Sequence, residues 1–226
     1  EQIERKQDTA EEFVENPSEE SLKDLVGNLW AIHGYPASAE HFVDEKVLTE
    51  NQSPVDVAHA LNTSVESESA AETYQVDGFD WAFASEILRS LKPEKFAILN
   101  ARSAEGLGAL GYETPDSYSA STEQYHDFVK DVREAYKLYD LRSVVEKETD
   151  SDVSIPEWAT PSEIADRAFY MHSSGRIDLS GSDKPEPREP PVLHRRAHQR
   201  KIREAATAAQ ENNKTDEGIL HNRSSK

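Results

Sequence analysis

Lys92, Lys95, Asn100, Arg102 and Ser103 fall close together in a chain whose formal charge is −19, from 44 acidic and 25 basic residues. Cations gathered against so acidic a background, interleaved with amide and hydroxyl donors, suit contact with an oxyanion such as phosphate. The stretch that carries them, Trp81 to Tyr112, reads as a helix, a short stiff connector, a second helix and a glycine stop. The N-terminus of the second helix would add backbone N–H donors and the positive end of a helix dipole. A helical hairpin with solvated cations is the plainer reading of the same residues.

A second basic group lies near the end of the sequence. From Lys184 to Lys226 there are ten Lys and Arg against six Asp and Glu, so the preceding body is even more acidic than the whole. Arg195, Arg196, Arg200, Lys201 and Arg203 sit in a segment, 192–210, that reads as one basic helix. Such a helix can bind nucleic acid through counterion release, or serve as a solvated linker. His194 and His198 have the four-residue spacing of metal ligands on a helix, yet no third ligand accompanies them, and no metal site is assigned. The other histidines form no cluster. The chain has no cysteine, hence no disulfide, no thiolate nucleophile and no cysteine zinc site. It has no phosphate-loop motif and no serine in a nucleophile elbow. Paired carboxylates are so frequent here that they say nothing about acid–base catalysis. No catalytic residue and no cofactor is expected.

The elements that must position these residues are helical. Ser18, Ser38, Ser53 (followed by Pro54), Asp80, Ser121 and Thr160 (followed by Pro161) stand at N-cap positions ahead of apolar residues at helical spacing. Leu22, Leu25, Val26, Leu29 and Trp30 form one stripe. Trp81, Ala84, Ile87, Leu88 and Leu91 form another. Tyr125, Phe128, Val129, Val132, Tyr136 and Tyr139 form a third, which reads as core rather than as a base-stacking platform. Pro93 ends the helix before the connector, Phe96, Ile98 and Leu99 bury the connector, and Gly111 provides a left-handed stop. Residues 62–72, small, polar and acidic, read as an exposed loop. The expected fold is all-α: a compact body of about six to eight helices over 1–180, a Pro-rich linker over 181–191, and a basic helical tail over 192–226. Three Trp, eight Tyr and seven Phe argue against disorder. The acid-coated surface suits a protein of a salt-loving organism, where a short Debye length screens self-repulsion. The first residues lack a signal-peptide pattern and no run is apolar enough to span a membrane, so a cytoplasmic location is expected.

The pattern Leu91, Pro93, Phe96, Ile98, Asn100, Arg102, Ser103, then Leu110, Gly111 and Tyr112, resembles helical modules of prokaryotic restriction and defence proteins. These are the regions attached to McrB-type AAA ATPases and to HNH endonucleases. It also resembles, more distantly, the helix-hairpin-helix of DNA glycosylases, without their catalytic lysine and aspartate. The segment from Phe13 to Leu22 is similar to the opening of the same modules, and the resemblance spans about residues 10 to 140. The basic tail resembles the helix that leads into an HNH domain, although no paired-cysteine knuckle and no His-Asn-His spacing follows it. What the resemblance implies is a non-catalytic DNA-binding or targeting module of a restriction-like system, partnered by DNA and by a separate ATPase or nuclease subunit. The alternatives are a degenerate or truncated HNH-type endonuclease, and an acidic module that binds a basic partner protein.

Overall fold

The caps read from the sequence are made. Ser18, Ser53, Ser121 and Thr160 each accept a hydrogen bond from the backbone N–H three residues on, and Asp80 accepts from Ala82 and Phe83. Caps of this kind each contribute about 1 kcal/mol. The computed structural model describes residues 2–67, 76–148 and 155–180. These residues form nine α-helices and no strand. They are α1 Gln2–Glu15, α2 Glu19–Asn28, α3 Ala39–Phe42, α4 Pro54–Glu66, α5 Trp81–Leu91, α6 Ala101–Ala109, α7 Thr122–Leu138, α8 Leu141–Glu148 and α9 Pro161–Ser173. A 3₁₀ turn, Ala31–Gly34, follows α2, and a π turn, Val43–Val47, continues α3.

Three features depart from the sequence reading, the first being the larger number of helices. α1 and α8 carry thin apolar stripes, with Ala10 and Phe13 on one and Leu141 and Val145 on the other, and tertiary packing rather than local pattern holds them. Of the loop expected over 62–72, residues 68–72 lie outside the described residues and 62–66 are not loop. α4 runs on through Glu66 because Leu61 and Ser64 face the core, and the Ser64 hydroxyl turns back to the Ala60 carbonyl. Trp30 does not continue the α2 stripe: the chain leaves helical geometry at Leu29, and Trp30 stands 46% exposed.

The helices pack in two groups. α1 lies against α2, α4 and α5, whereas α9 lies against α6, α7 and α8. The approach of α6 to α9 depends on Gly106, where a Cβ would come within 2.5 Å of Phe169. On α7, Tyr125, Phe128, Val129 and Val132 are buried as core residues, and Tyr136 and Tyr139 are partly buried against it.

The connector between α5 and α6 is clamped along its backbone. Arg133 donates to the carbonyls of Glu94 and Lys95, the Tyr125 hydroxyl donates to the Ala97 carbonyl, and the Leu99 N–H donates to the Ser85 hydroxyl. Those bonds, with Phe96, Ala97 and Leu99 buried, account for its stiffness. Gly111, at φ 91, makes the left-handed stop after α6.

Candidate ligand pocket

The five polar residues of the hairpin do not act as one surface. Asn100 is the N-cap of α6: its Oδ1 accepts from the N–H groups of Arg102 and Ser103. The Ser103 hydroxyl, buried, closes the reciprocal half of the box on the Asn100 backbone. The helix N-terminus expected to hold an anion therefore already holds the Asn100 side chain. Lys95 turns away to the end of α4, donating to the carbonyls of Val65 and Ser67. Lys92 is exposed and lies 3.7 Å from Glu94. Arg102 alone of the five keeps an exposed charge outside any ion pair, near enough to Asp166 to act on its charge, its guanidinium 5.7 Å from the Trp30 ring and 5.3 Å from the Tyr170 ring. The tail residues Arg195, Arg196, Arg200, Lys201 and Arg203, with the 181–191 linker and the His194/His198 pair, lie outside the described residues.

Arg102 and Asn100 stand at the edge of a cavity of about 510 Å³, within the range of about 300–1,000 Å³ usual for ligand sites. It opens where the two helix groups meet. Glu4 and Lys6 of α1, Trp30, and Glu86 and Arg89 of α5 line one side. Ile155, Pro156, Trp158 and Ala159 and the α9 residues Glu163, Asp166, Arg167 and Tyr170 line the other. Large exposed apolar side chains among the described residues are few, and three of them, Trp30, Trp158 and Tyr170, share this cavity. Exposed aromatics gathered at one concave place mark a contact surface.

Beneath the rings lies an unusual set of buried charges. Glu86 is buried and fully engaged: it pairs with Lys6 and accepts from the N–H groups of Trp30 and Ala31, so it caps the 3₁₀ turn and sets the position of Trp30. Burial holds the Lys6 ammonium below the usual lysine range, opposed by the Glu86 charge. Glu163 uses one oxygen, Oε2, to accept from the Thr160 N–H and hydroxyl. Asp166 is pushed above the usual aspartate range by burial, against the pull of Arg89. Arg89 is only 8% exposed, and its Nε is buried without a hydrogen-bond partner. A second cavity of about 20 Å³ also borders Arg89.

Of the lining residues, Arg102 and Asn100 are legible as polar site residues in the sequence and the others are not. Lys6, Glu86, Arg89 and Asp166 are separated by tens of residues in a chain full of charges. Only one signal was legible: Glu86 and Arg89 interrupt the apolar run of α5 on faces that a solvated helix would not bury. Compared with known protein families, with curated proteins and with solved structures, the chain matches none. The class that fold and site define is an all-α domain with an aromatic- and arginine-lined pocket between two helix groups.

Proposed function

We propose that this chain is a non-catalytic DNA-recognition or targeting module of a restriction-like defence system, adapted to high salt, and that its DNA-facing side is the pocket mouth around Arg102. One observation carries the reading. In a chain of net charge −19, Arg102 stands exposed between two aromatic rings at a pocket that Arg89 and Arg167 also line. Arginine beside exposed aromatic faces is the pairing that holds nucleic acid, the guanidinium on phosphate and the rings on bases. Asn100 and Ser103 serve it indirectly, by capping the helix that carries Arg102. The basic tail adds sequence-independent affinity, and an ATPase or nuclease subunit would supply the chemistry.

The test is a gel-shift series over salt with the intact chain, Arg102→Glu and a chain ending at Ser180. Loss of a phosphate contact lowers affinity across all sequences and reduces the salt slope by about one. If neither change alters binding, the assignment is wrong. Binding to a basic protein in competition with DNA would favour the interaction-module reading instead, and divalent-metal-dependent cleavage of plasmid the nuclease reading.

A further inference from the structure

We propose that the pocket between the two helix groups is a nucleotide site, taking one heterocyclic base against Trp158 and its phosphate on the arginines that line the cavity. The inference deepens the DNA-recognition reading by naming the ligand class of the same site. Size comes first: about 510 Å³ holds a small molecule rather than a peptide segment or a duplex.

Ring recognition comes next. Trp30 and Tyr170 each hold the Arg102 guanidinium, and Trp30 also faces Lys6 at 5.0 Å. Trp158, at 67% exposed, has neither a ring contact nor a cation among the described residues. An indole left open to solvent on a pocket wall offers a stacking face that any base can use.

Charge completes the argument. Of the lining carboxylates, Glu86 has both oxygens engaged, by Lys6 and by the N–H groups of Trp30 and Ala31, and Glu163 has Oε2 engaged by the Thr160 N–H and hydroxyl. Arg89 and Arg167 have no ion pair among the described residues, and the buried Arg89 Nε has no acceptor at all. Asp166 acts on Arg89 through its charge but forms no ion pair with it, and a buried Nε–H without an acceptor is costly unless an oxyanion completes it. Asp166 and the Nδ2 amide of Asn100 remain as polar groups for the edge of a base, one an acceptor and the other a donor. A plain aromatic hydrocarbon would leave the arginines unmatched, and inorganic phosphate would leave the indole unused.

The nucleotide has two sources, free monophosphate or one residue of a single strand, and the experiment separates them. The full chain is titrated with the common nucleoside monophosphates, with adenosine, with inorganic phosphate and with a short single-stranded oligonucleotide, following tryptophan fluorescence. Two of the three tryptophans line the pocket, whereas Trp81 is buried and stacked on Tyr125, so the signal reports chiefly on the site. Saturable quenching by a monophosphate, with adenosine and phosphate each at least tenfold weaker, is the expected result. Quenching by the strand alone assigns the strand as the source. Trp158→Ala is expected to weaken binding at least about fivefold, and Arg167→Ala, at an exposed position that cannot disturb the core, is expected to weaken the monophosphate more than adenosine. No quenching by any nucleotide or strand at millimolar concentration overturns the proposal, as does unchanged binding by Trp158→Ala. Monophosphate binding without a duplex gel shift would refute the DNA-targeting reading and leave this one standing. A duplex shift indifferent to Trp158→Ala would do the reverse.

Discussion

Gly106→Ala and Gly108→Ala should have opposite signs, although both sit in α6 two residues apart. In an exposed helix interior, replacing Gly by Ala stabilises by about 1 kcal/mol, because Gly loses more backbone freedom on folding. Gly108 has nothing within 4 Å of the added Cβ, so Gly108→Ala should gain ~0.5–1 kcal/mol. At Gly106 the same methyl would stand 2.5 Å from Phe169 Cδ1 and 2.7 Å from its Cβ and Cγ, where ordinary contact begins at 3.4 Å. Phe169 is buried on α9, 1% exposed, and its own Cβ is among the atoms struck, so a change of rotamer does not clear the clash. The two helices must part. Overpacking of this kind costs ~1–3 kcal/mol, and subtracting the propensity gain leaves a net loss of up to about 2 kcal/mol. Urea unfolding followed by far-UV circular dichroism reads both values, provided the slopes of the two variants agree. A Gly106→Ala protein as stable as Gly108→Ala would refute the packing of α6 on α9, and with it the position of Arg102 against Tyr170.

Three further outcomes are expected. Lys6→Met strips the buried Glu86 of its charge partner and should cost ~3–5 kcal/mol; because Glu86 also caps the 3₁₀ turn, Lys6→Met with Glu86→Gln should recover only part of it in a double-mutant cycle. Burial, with Glu134 and Asp127 nearby, pushes Asp131 up to about 6. The folded state therefore binds this proton more tightly than the unfolded chain, the group favours folding below about pH 4, and that contribution is lost as pH rises through about 6. Asp131→Asn should thus gain about 1 kcal/mol at pH 7, a figure reduced for partial exposure, and nothing below about pH 4, as measured by urea midpoints at both values. Finally, the acid-coated chain should unfold at higher urea in molar KCl than in dilute buffer, since salt screens its self-repulsion; equal midpoints would remove the high-salt reading.

Local chemistry was readable one residue at a time. Ser18, Ser53, Asp80, Ser121 and Thr160 announce helix starts because a cap is a bond between near neighbours, and Gly111 announces a stop for the same reason. The α5 and α7 stripes, and hence an all-α core, follow from spacing alone. α1 and α8 were not legible, since a helix with so thin a buried apolar stripe, Ala10 and Phe13 on one and Leu141 and Val145 on the other among the described side chains, owes its existence to its neighbours. The same limit governs the site. The sequence by itself determined that Arg102 would stand at the start of the second hairpin helix, and it grouped Lys92, Lys95, Asn100 and Ser103 with it only by proximity along the chain. Tertiary structure dispersed that group, because Lys95 found carbonyls on α4 and Asn100 and Ser103 found each other. It assembled another from Lys6, Trp30, Glu86, Arg89, Trp158, Asp166 and Tyr170. Charges and rings so far apart in sequence are brought together only when hydrophobic burial closes α1 and α5 on one side and α9 on the other. No local pattern encodes that meeting.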